Sequence, residues 1–357
     1  MKKLDSNKKL IVSVCTFLFI LLSLYSCSNI PVASSNIPSD PTGTSKPNVV
    51  SYVNDGIYIS IDKMPTLLPI TSKDYVRVRV SIPGAENLSE NELRVFEDNK
   101  EQGFIIFKES VTRSKIDIAI ILDITGSMGS AITGVKNSIV EFANELLDSG
   151  LDIKLAVVPF GDYVNPPSDC ISDLNPPLLD LSSPLDVKSY VENKLYASGG
   201  GDWPENPYDA IMSAATVLTW RPGSQRSIIL ITDAPAHYLG DGSEYAHFTK
   251  NTMLPYLIGY FTIHSVIVPD SFFYLTNATD FSNSSDPREL SQRTGGLVKY
   301  TDSQGNVDLT EFGIAEYIES SWIVSFESDS ALEKHTIELF YEQGAAKRYA
   351  KLENISY

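Results

Sequence analysis

The chain has 357 residues, 43% hydrophobic and 20% charged, which suits a globular protein with core material for about two domains. Its formal net charge of −17 excludes the basic stripe that phosphate binding needs, so no nucleic-acid partner is expected, while its acidic loops should attract cations. The three cysteines are Cys15, Cys27 and Cys170; only Cys170 falls in the folded body, so no internal disulfide is expected there.

At the N-terminus, Lys2, Lys3, Lys8 and Lys9 precede an apolar run over 10–24. A basic start and an apolar stretch short of the ~20 residues of a membrane span fit a secretory signal over 1–26. Leu24-Tyr25-Ser26-Cys27 resembles a bacterial lipobox, in which the Cys becomes the lipidated first residue, although Tyr25 is larger than that motif usually carries. The expectation is an extracytoplasmic cell-envelope protein anchored to the membrane through Cys27, in the outer membrane where the cell has one. The alternative is ordinary signal-peptidase cleavage near Ser26 or beyond. Residues 27–48, rich in Ser, Pro, Asn and Thr, have little to bury and read as a flexible tether.

Residues 49–113 alternate as strands do. Ile57, Ile59 and Ile61 share one face and Tyr58, Ser60 and Asp62 the other; 75–82 follows the same pattern, then 93–99 and 103–107. About 65 residues is small for a complete sandwich. Three more strands, at 322–326, 335–341 and 347–352, lie in the C-terminal segment 321–357. The expectation is one β-sandwich built from 49–113 and 321–357, because each piece alone leaves an apolar face exposed. Two separate β-ribbons are the alternative.

Between them, 114–320 alternates strand and helix, which predicts an α/β domain with a mainly parallel sheet covered on both faces. The apolar strand 116–122 is followed by a helix over 131–147 with Ile132, Val135, Ile139, Phe142, Ala143 and Leu146 on one stripe. Strands are predicted at 153–160, 227–232, 262–268 and 297–300. A helix capped by Asn206, with Pro207 first, should run to Trp220, and a short one should span 287–293. Asp308 and Glu311 suggest a capping box for a last helix ending near Ser320.

Three loops of this domain carry oxygen donors. Asp123-Ile124-Thr125-Gly126-Ser127 follows the first strand, and alternate residues of an extended segment point the same way. The second loop is Gly199-Gly200-Gly201-Asp202-Trp203-Pro204-Glu205, and the third is Thr232-Asp233-Ala234-Pro235. An Asx or Ser/Thr turn capping the next helix also accounts for the first loop alone. Three loops converging at the carboxyl ends of strands point instead to a site for a hard divalent cation, Mg²⁺ or else Mn²⁺ or Ca²⁺.

At these residues the chain resembles a von Willebrand factor type A domain and its metal-ion-dependent adhesion site. The resemblance spans roughly 114–320 and implies a Rossmann-like fold. The family's first loop reads Asp-x-Ser-x-Ser, and here it reads Asp-x-Thr-x-Ser. Many members place a Thr in the second loop. This chain offers Asp202 and Glu205, as the A-like domain of integrin β subunits does with Asp-x-Pro-Glu. The resemblance implies metal ligands at Asp123, Thr125, Ser127, Glu205 and Asp233, with Asp202 joining them or serving a neighbouring cation. Gly129 and Ser130 stand where integrin β domains carry two further Asp, so that extra site is not expected. It also implies a protein partner that offers a carboxylate to the ion, and an insertion of the domain into a sandwich.

Enzymatic signals are sparse. His237, His247, His264 and His335 form no His-Glu-x-x-His, and no Gly-x-Ser-x-Gly or P-loop occurs. His237, four residues beyond Asp233, is expected to order its loop. The expected function is therefore adhesion or protein binding through the ion. A structural or assembly role with a purely structural metal is the alternative, and metal-dependent hydrolysis is the remoter reading.

Overall fold

The computed structural model describes residues 37–64, 75–85, 87–148, 150–162, 178–268, 280–302, 304–330 and 333–357. The signal segment, Cys27 and Cys170 lie outside these residues. No described helix is long and apolar enough to cross a membrane.

The α/β part grows from its most apolar strand, β6 (Lys115–Asp123), whose two faces feed two cores. Ile116, Ile118, Ile120 and Leu122 point to one side, where α2 (Gly129–Asp148) and α3 (Pro184–Lys194) pack. Helix α7 (Ile314–Glu319) closes the same face through Ile314, Tyr317 and Ile318. Ala119 and Ile121 point to the other side, against α4 (Pro207–Val217), α5 (Lys250–Leu257) and Leu290 of α6 (Arg288–Thr294). All six residues expected on the apolar stripe of the first long helix are buried.

Around β6 the strands are β7 (Asp152–Phe160), β8 (Leu179–Ser182), β9 (Gln225–Thr232), β10 (Thr262–Ile267) and β11 (Val298–Tyr300), in the order β11-β10-β9-β6-β7-β8. Every pairing is parallel except β7 with β8. This is the mainly parallel, two-faced α/β sheet that the sequence predicts. The chain leaves β6 for β7 on one side and later returns to β9 on the other, so the carboxyl end of β6 is a topological switch point.

Several elements differ from expectation. Helix α4 stops at Val217, because Leu218 is extended and the Thr219 N–H is taken by Asp180 Oδ1 at 2.9 Å. Asp308 caps no helix. Its Oδ1 accepts from Thr310 N and Oγ1, an Asx turn, and α7 starts only at Ile314 after the left-handed Gly313. Helices α3 and α5 are not expected from the sequence; α5 carries Pro255 in its interior, which masks its periodicity.

The remaining strands are β1 (Tyr58–Ile61), β2 (Tyr75–Ser81), β3 (Leu93–Glu97), β4 (Lys100–Glu101), β5 (Phe104–Lys108), β12 (Ser321–Glu327), β13 (His335–Gln343) and β14 (Ala346–Ile355). They form two antiparallel sheets, β1-β2-β12-β5 and β14-β13-β3-β4. Segments from before and after the α/β part thus interleave. Val78, Val80, Val324 and Phe326 of one sheet share a core with Val95, Ile337 and Leu339 of the other. Residues 38–46, placed in the tether by composition, lie against these sheets. Asp40 accepts from Gly103 N, Lys46 pairs with Glu338 at 2.7 Å, and a Cβ at Gly103 would stand 2.0 Å from Pro38 O.

A buried ionic cluster ties the two parts together. Arg79 of β2 and Arg113 both clamp Glu109 of the short helix α1 (Glu109–Thr112), and Asp62 accepts from Arg113 at 2.9 Å. Arg79 also donates to Thr262 Oγ1 of β10 at 3.2 Å, across from the sandwich to the α/β sheet. Such charges remain buried only while all are paired; removing one partner typically costs about 3–5 kcal/mol.

Candidate metal centre

Four loops meet at the carboxyl ends of β6, β7 and β9, laced together by backbone hydrogen bonds. Ile124 N donates to Phe160 O (2.9 Å), Ser198 N to Ile124 O (2.8 Å) and Asn206 N to Gly161 O (2.8 Å). Glu205 N donates to Pro235 O (2.9 Å), and His237 N to Glu205 O (2.6 Å), so the second and third loops pair as a short parallel bridge.

Asp123 ends β6, fully buried. Its Oδ1 accepts from Thr125 N at 2.9 Å and from Thr125 Oγ1 at 2.7 Å, and its Oδ2 accepts from Thr232 Oγ1 at 2.7 Å. Thr125 is extended, as alternation requires, but Ser127 is not, because Gly126–Met128 form a 3-10 turn. That turn still leaves Ser127 Oγ 3.5 Å from Thr125 Oγ1, with Ser127 exposed.

Glu205 is only 3% exposed, and its Oε2 has no hydrogen-bond partner. Two glycines admit it beside the first loop. A Cβ on Gly161 would stand 3.3 Å from Thr125 Cγ2 and 3.6 Å from Glu205 Oε2, and one on Gly200 (φ +92°) would stand 3.4 Å from Glu205 Oε1. Asn206 caps α4 by accepting from Asp209 N, with Pro207 at the first position, as its sequence predicts. Asp233 is buried directly after β9. Asp202 is largely exposed and lies 3.3 Å from His237 Nε2.

These carboxyls repel one another. Burial, then the Asp233 charge, raise the Asp123 pKa to about 7. Burial, then Asp123, Asp162, Asp233 and Asp202 in turn, raise Glu205 to about 10. A concentration of buried acid with two hydroxyls beside it is the donor chemistry of a hard divalent cation, and an unpartnered Glu205 oxygen fits that use. Asp123, Thr125, Ser127, Glu205 and Asp233 could hold such an ion.

No family model matches the chain. Among curated proteins it is 30% identical over 160 residues to an alpha-protein kinase of Dictyostelium discoideum, covering 44% of this chain and 24% of that protein. It is 24% identical over 204 residues to a putative ariadne-like RING finger protein of Acanthamoeba polyphaga mimivirus, covering 55% of this chain and 19% of that one. The chain therefore spans a quarter or less of the length of these relatives. The solved structures it is similar to include a von Willebrand factor type A protein from Catenulispora acidiphila, at 12% identity and TM-score 0.39, covering 88% of this chain and 75% of that one. Others are the pilus adhesin SpaC of Lactobacillus rhamnosus GG, at 10% identity and TM-score 0.36 over 89% and 49% of the two chains, and a manganese-loaded Plasmodium vivax TRAP protein, at 12% and 0.34 over 74% and 98%. At these scores the likeness is general, and the fold rests on the chain's own sheet order.

Three residues at the site are not anticipated from the sequence. Thr232 faces Asp123 because the register pairs Leu122 with Ile231 across β6 and β9. Asp162, two residues past β7, accepts from Gly201 N at 2.8 Å while its Oδ1 is buried without a partner. A polar residue just after a predicted parallel strand was the available signal. Asp241 holds His237 Nδ1 at 2.7 Å, and no sequence pattern announces it. His237, expected to order its own loop, meets Asp241 four residues on and also reaches Asp202 of the second loop at 3.3 Å. The other histidines sit elsewhere: His247 pairs with Asp209, His335 with Asp98, and His264 is buried against Tyr317 with its pKa pushed by burial down to about 3.

Proposed function

We propose that this chain is a cell-envelope lipoprotein that binds a protein ligand through a divalent cation, most simply Mg²⁺, at a metal-ion-dependent adhesion site. Asp123, Thr125, Ser127, Glu205 and Asp233 are its donors on this reading. The observation that carries it is Glu205, buried with an unpartnered oxygen among Asp123, Asp162 and Asp233. An acid so placed is unfavourable unless it keeps a proton or meets a cation. An ion held there supplies positive charge and an exchangeable position for an incoming carboxylate. Neutral Thr125 and Ser127 preserve that charge, and Glu205 sits just ahead of the N-terminus of α4, where the helix dipole favours a carboxylate.

Binding is favoured over hydrolysis. His237, the histidine at these loops, faces carboxylates through both ring nitrogens, so it is not poised as a general base. A purely structural ion is the second reading, favoured by the three hydrogen bonds that already close Asp123 onto its loop and onto β9.

The test is capture of partners from envelope extract, with Mg²⁺ and with chelator, by the wild type and by Glu205→Ala. Adhesion requires a partner lost in chelator and in the variant, while circular dichroism shows both folded. A partner retained in chelator means that the ion is not the contact, and the structural role then replaces adhesion.

A further inference from the structure

At the amino ends of the strands, opposite the metal centre, a row of charged side chains crosses the sheet. Lys154 of β7 and Arg226 of β9 flank Asp117 of β6 in register, on the face that packs α4 and α5. Asp117 is fully buried, and Arg221 takes both of its oxygens: Arg221 N donates to Oδ2 at 2.8 Å and Nε to Oδ1 at 2.6 Å. Arg221 also pairs with Asp152 at 2.7 Å. Lys154 and Arg226 are left over, and neither side chain has a hydrogen bond or an ion pair among the described residues. We propose that Lys154 and Arg226, with the tyrosines at the end of α5, form a docking surface for an acidic segment of a partner protein.

Arg226 is held by rings in place of an acid. Its guanidinium carbon lies 5.7 Å from the centre of the Trp220 ring and 5.9 Å from that of Phe261, and the two rings meet edge to face at 5.1 Å. Cation–π contacts orient a guanidinium without neutralising it. The Arg226 Nε is buried and has no partner. Burial draws the pKa of the group below its ordinary value, and the Asp117 charge offsets that only in part. The guanidinium is thus fixed, partly desolvated and uncompensated, and its planar fork of N–H donors matches a carboxylate.

The surroundings specify the partner. In a chain of net charge −17, a surface where two cations lack acids attracts negative charge. Lys154 and Arg226 stand two strand spacings apart, about 10 Å at the backbone, a span for a segment with more than one acid rather than for a lone ion. Exposed aromatic rings lie beside them. Tyr260, 38% exposed, directly precedes Phe261, and Tyr256, 64% exposed, sits in the last turn of α5. Exposed Tyr next to an oriented Arg is the composition of a protein–protein hot spot, and it favours a peptide over free phosphate, which has no apolar part to cover the rings. Arg226 lies seven residues before Asp233 along β9, roughly 23 Å, so the surface can be engaged with or without an ion at the metal centre.

The test titrates the blocked peptide Ac-Glu-Leu-Tyr-Glu-NH2 into the ¹⁵N-labelled full chain, beside a twin in which both Glu are Gln. The Arg226 Nε–H resonance should move and saturate with the acidic peptide and stay in place with the twin. Arg226→Gln should weaken binding about 10-fold or more, and Arg226→Lys, which keeps the charge and loses the fork, about threefold to 10-fold. Tyr260→Ser should also weaken it about threefold to 10-fold with every charge in place, which separates docking from plain charge attraction. Chelator and Asp123→Ala should change nothing, so this surface and the metal centre fail separately. Equal binding of the two peptides, or an affinity unchanged in Arg226→Gln, overturns the proposal. So does tighter binding of oligogalacturonate or of inorganic phosphate than of the peptide, because the surface would then serve a glycan or a free anion. Should Arg226→Gln not fold, Lys154→Gln and the Nε–H titration of the wild type decide in its place.

Discussion

Replacing Asp123 by Asn should make the metal-free protein more stable and insensitive to Mg²⁺. Burial and the Asp233 charge hold the Asp123 pKa at about 7, against 3.8 for the ordinary carboxyl. Between those values the folded state binds the proton more tightly than the unfolded one, so stability in chelator falls as pH rises from about 4 to about 7. Above that window the ionised group costs folding at most roughly 4 kcal/mol. Asn keeps the shape and the acceptor for Thr125, and its amide can donate to Thr232 Oγ1, which then turns its own proton away. The variant in chelator at pH 8 should therefore gain on the order of 2–4 kcal/mol, a Tm rise of roughly 4–12 °C. Excess Mg²⁺ should raise the Tm of the wild type and leave that of Asp123→Asn unchanged. Scanning calorimetry of both proteins, in Mg²⁺ and in chelator, reads all four values. A variant no more stable in chelator, or one that gains as much from Mg²⁺ as the wild type, refutes the reasoning.

Mg²⁺ affinity measured by calorimetry should rise with pH, because Asp123, raised to about 7, and Glu205, raised to about 10, must give up protons to ligate; affinity unchanged between pH 6 and pH 9 would sink this. Cys27→Ser should move the full-length protein from the detergent phase to the aqueous phase or leave it unprocessed; a wild type already soluble would point to ordinary signal cleavage. Gly134→Ala places a Cβ 2.2 Å from Val307 O, a backbone atom that cannot step aside, so urea unfolding should show a loss of about 1–3 kcal/mol despite the better helix former.

What was legible in the sequence is what local pattern determines. The apolar stripe of α2 and the unbroken run of β6 state their burial directly. So does the Asn206-Pro207 start of α4, which is set by a cap and a fixed φ. The first loop announced itself by spacing, although Ser127 reaches Thr125 through a 3-10 turn rather than along an extended strand. Asp162 and Thr232 were hidden because their roles exist only after the strands are in register and residues 162 and 201, far apart in the chain, have met. Helix α5 was hidden by Pro255, whose cost its packing under β9 and β10 outweighs.

The interleaving of the sandwich sets an order of assembly. Strands β2 and β5 are neighbours in space only through β12, which lies between them in the sheet yet follows them by more than two hundred residues of chain. Closing that loop is costly while the intervening chain is open, and much cheaper once 115–319 has collapsed into a compact α/β body with its two ends side by side. The N-terminal strands must therefore wait, their apolar faces uncovered, until nearly the whole polypeptide has been made. A chain that stalls or is clipped just after α7 would hold a closed α/β body on an unfinished base, and that base is where a quality-control protease would find its substrate.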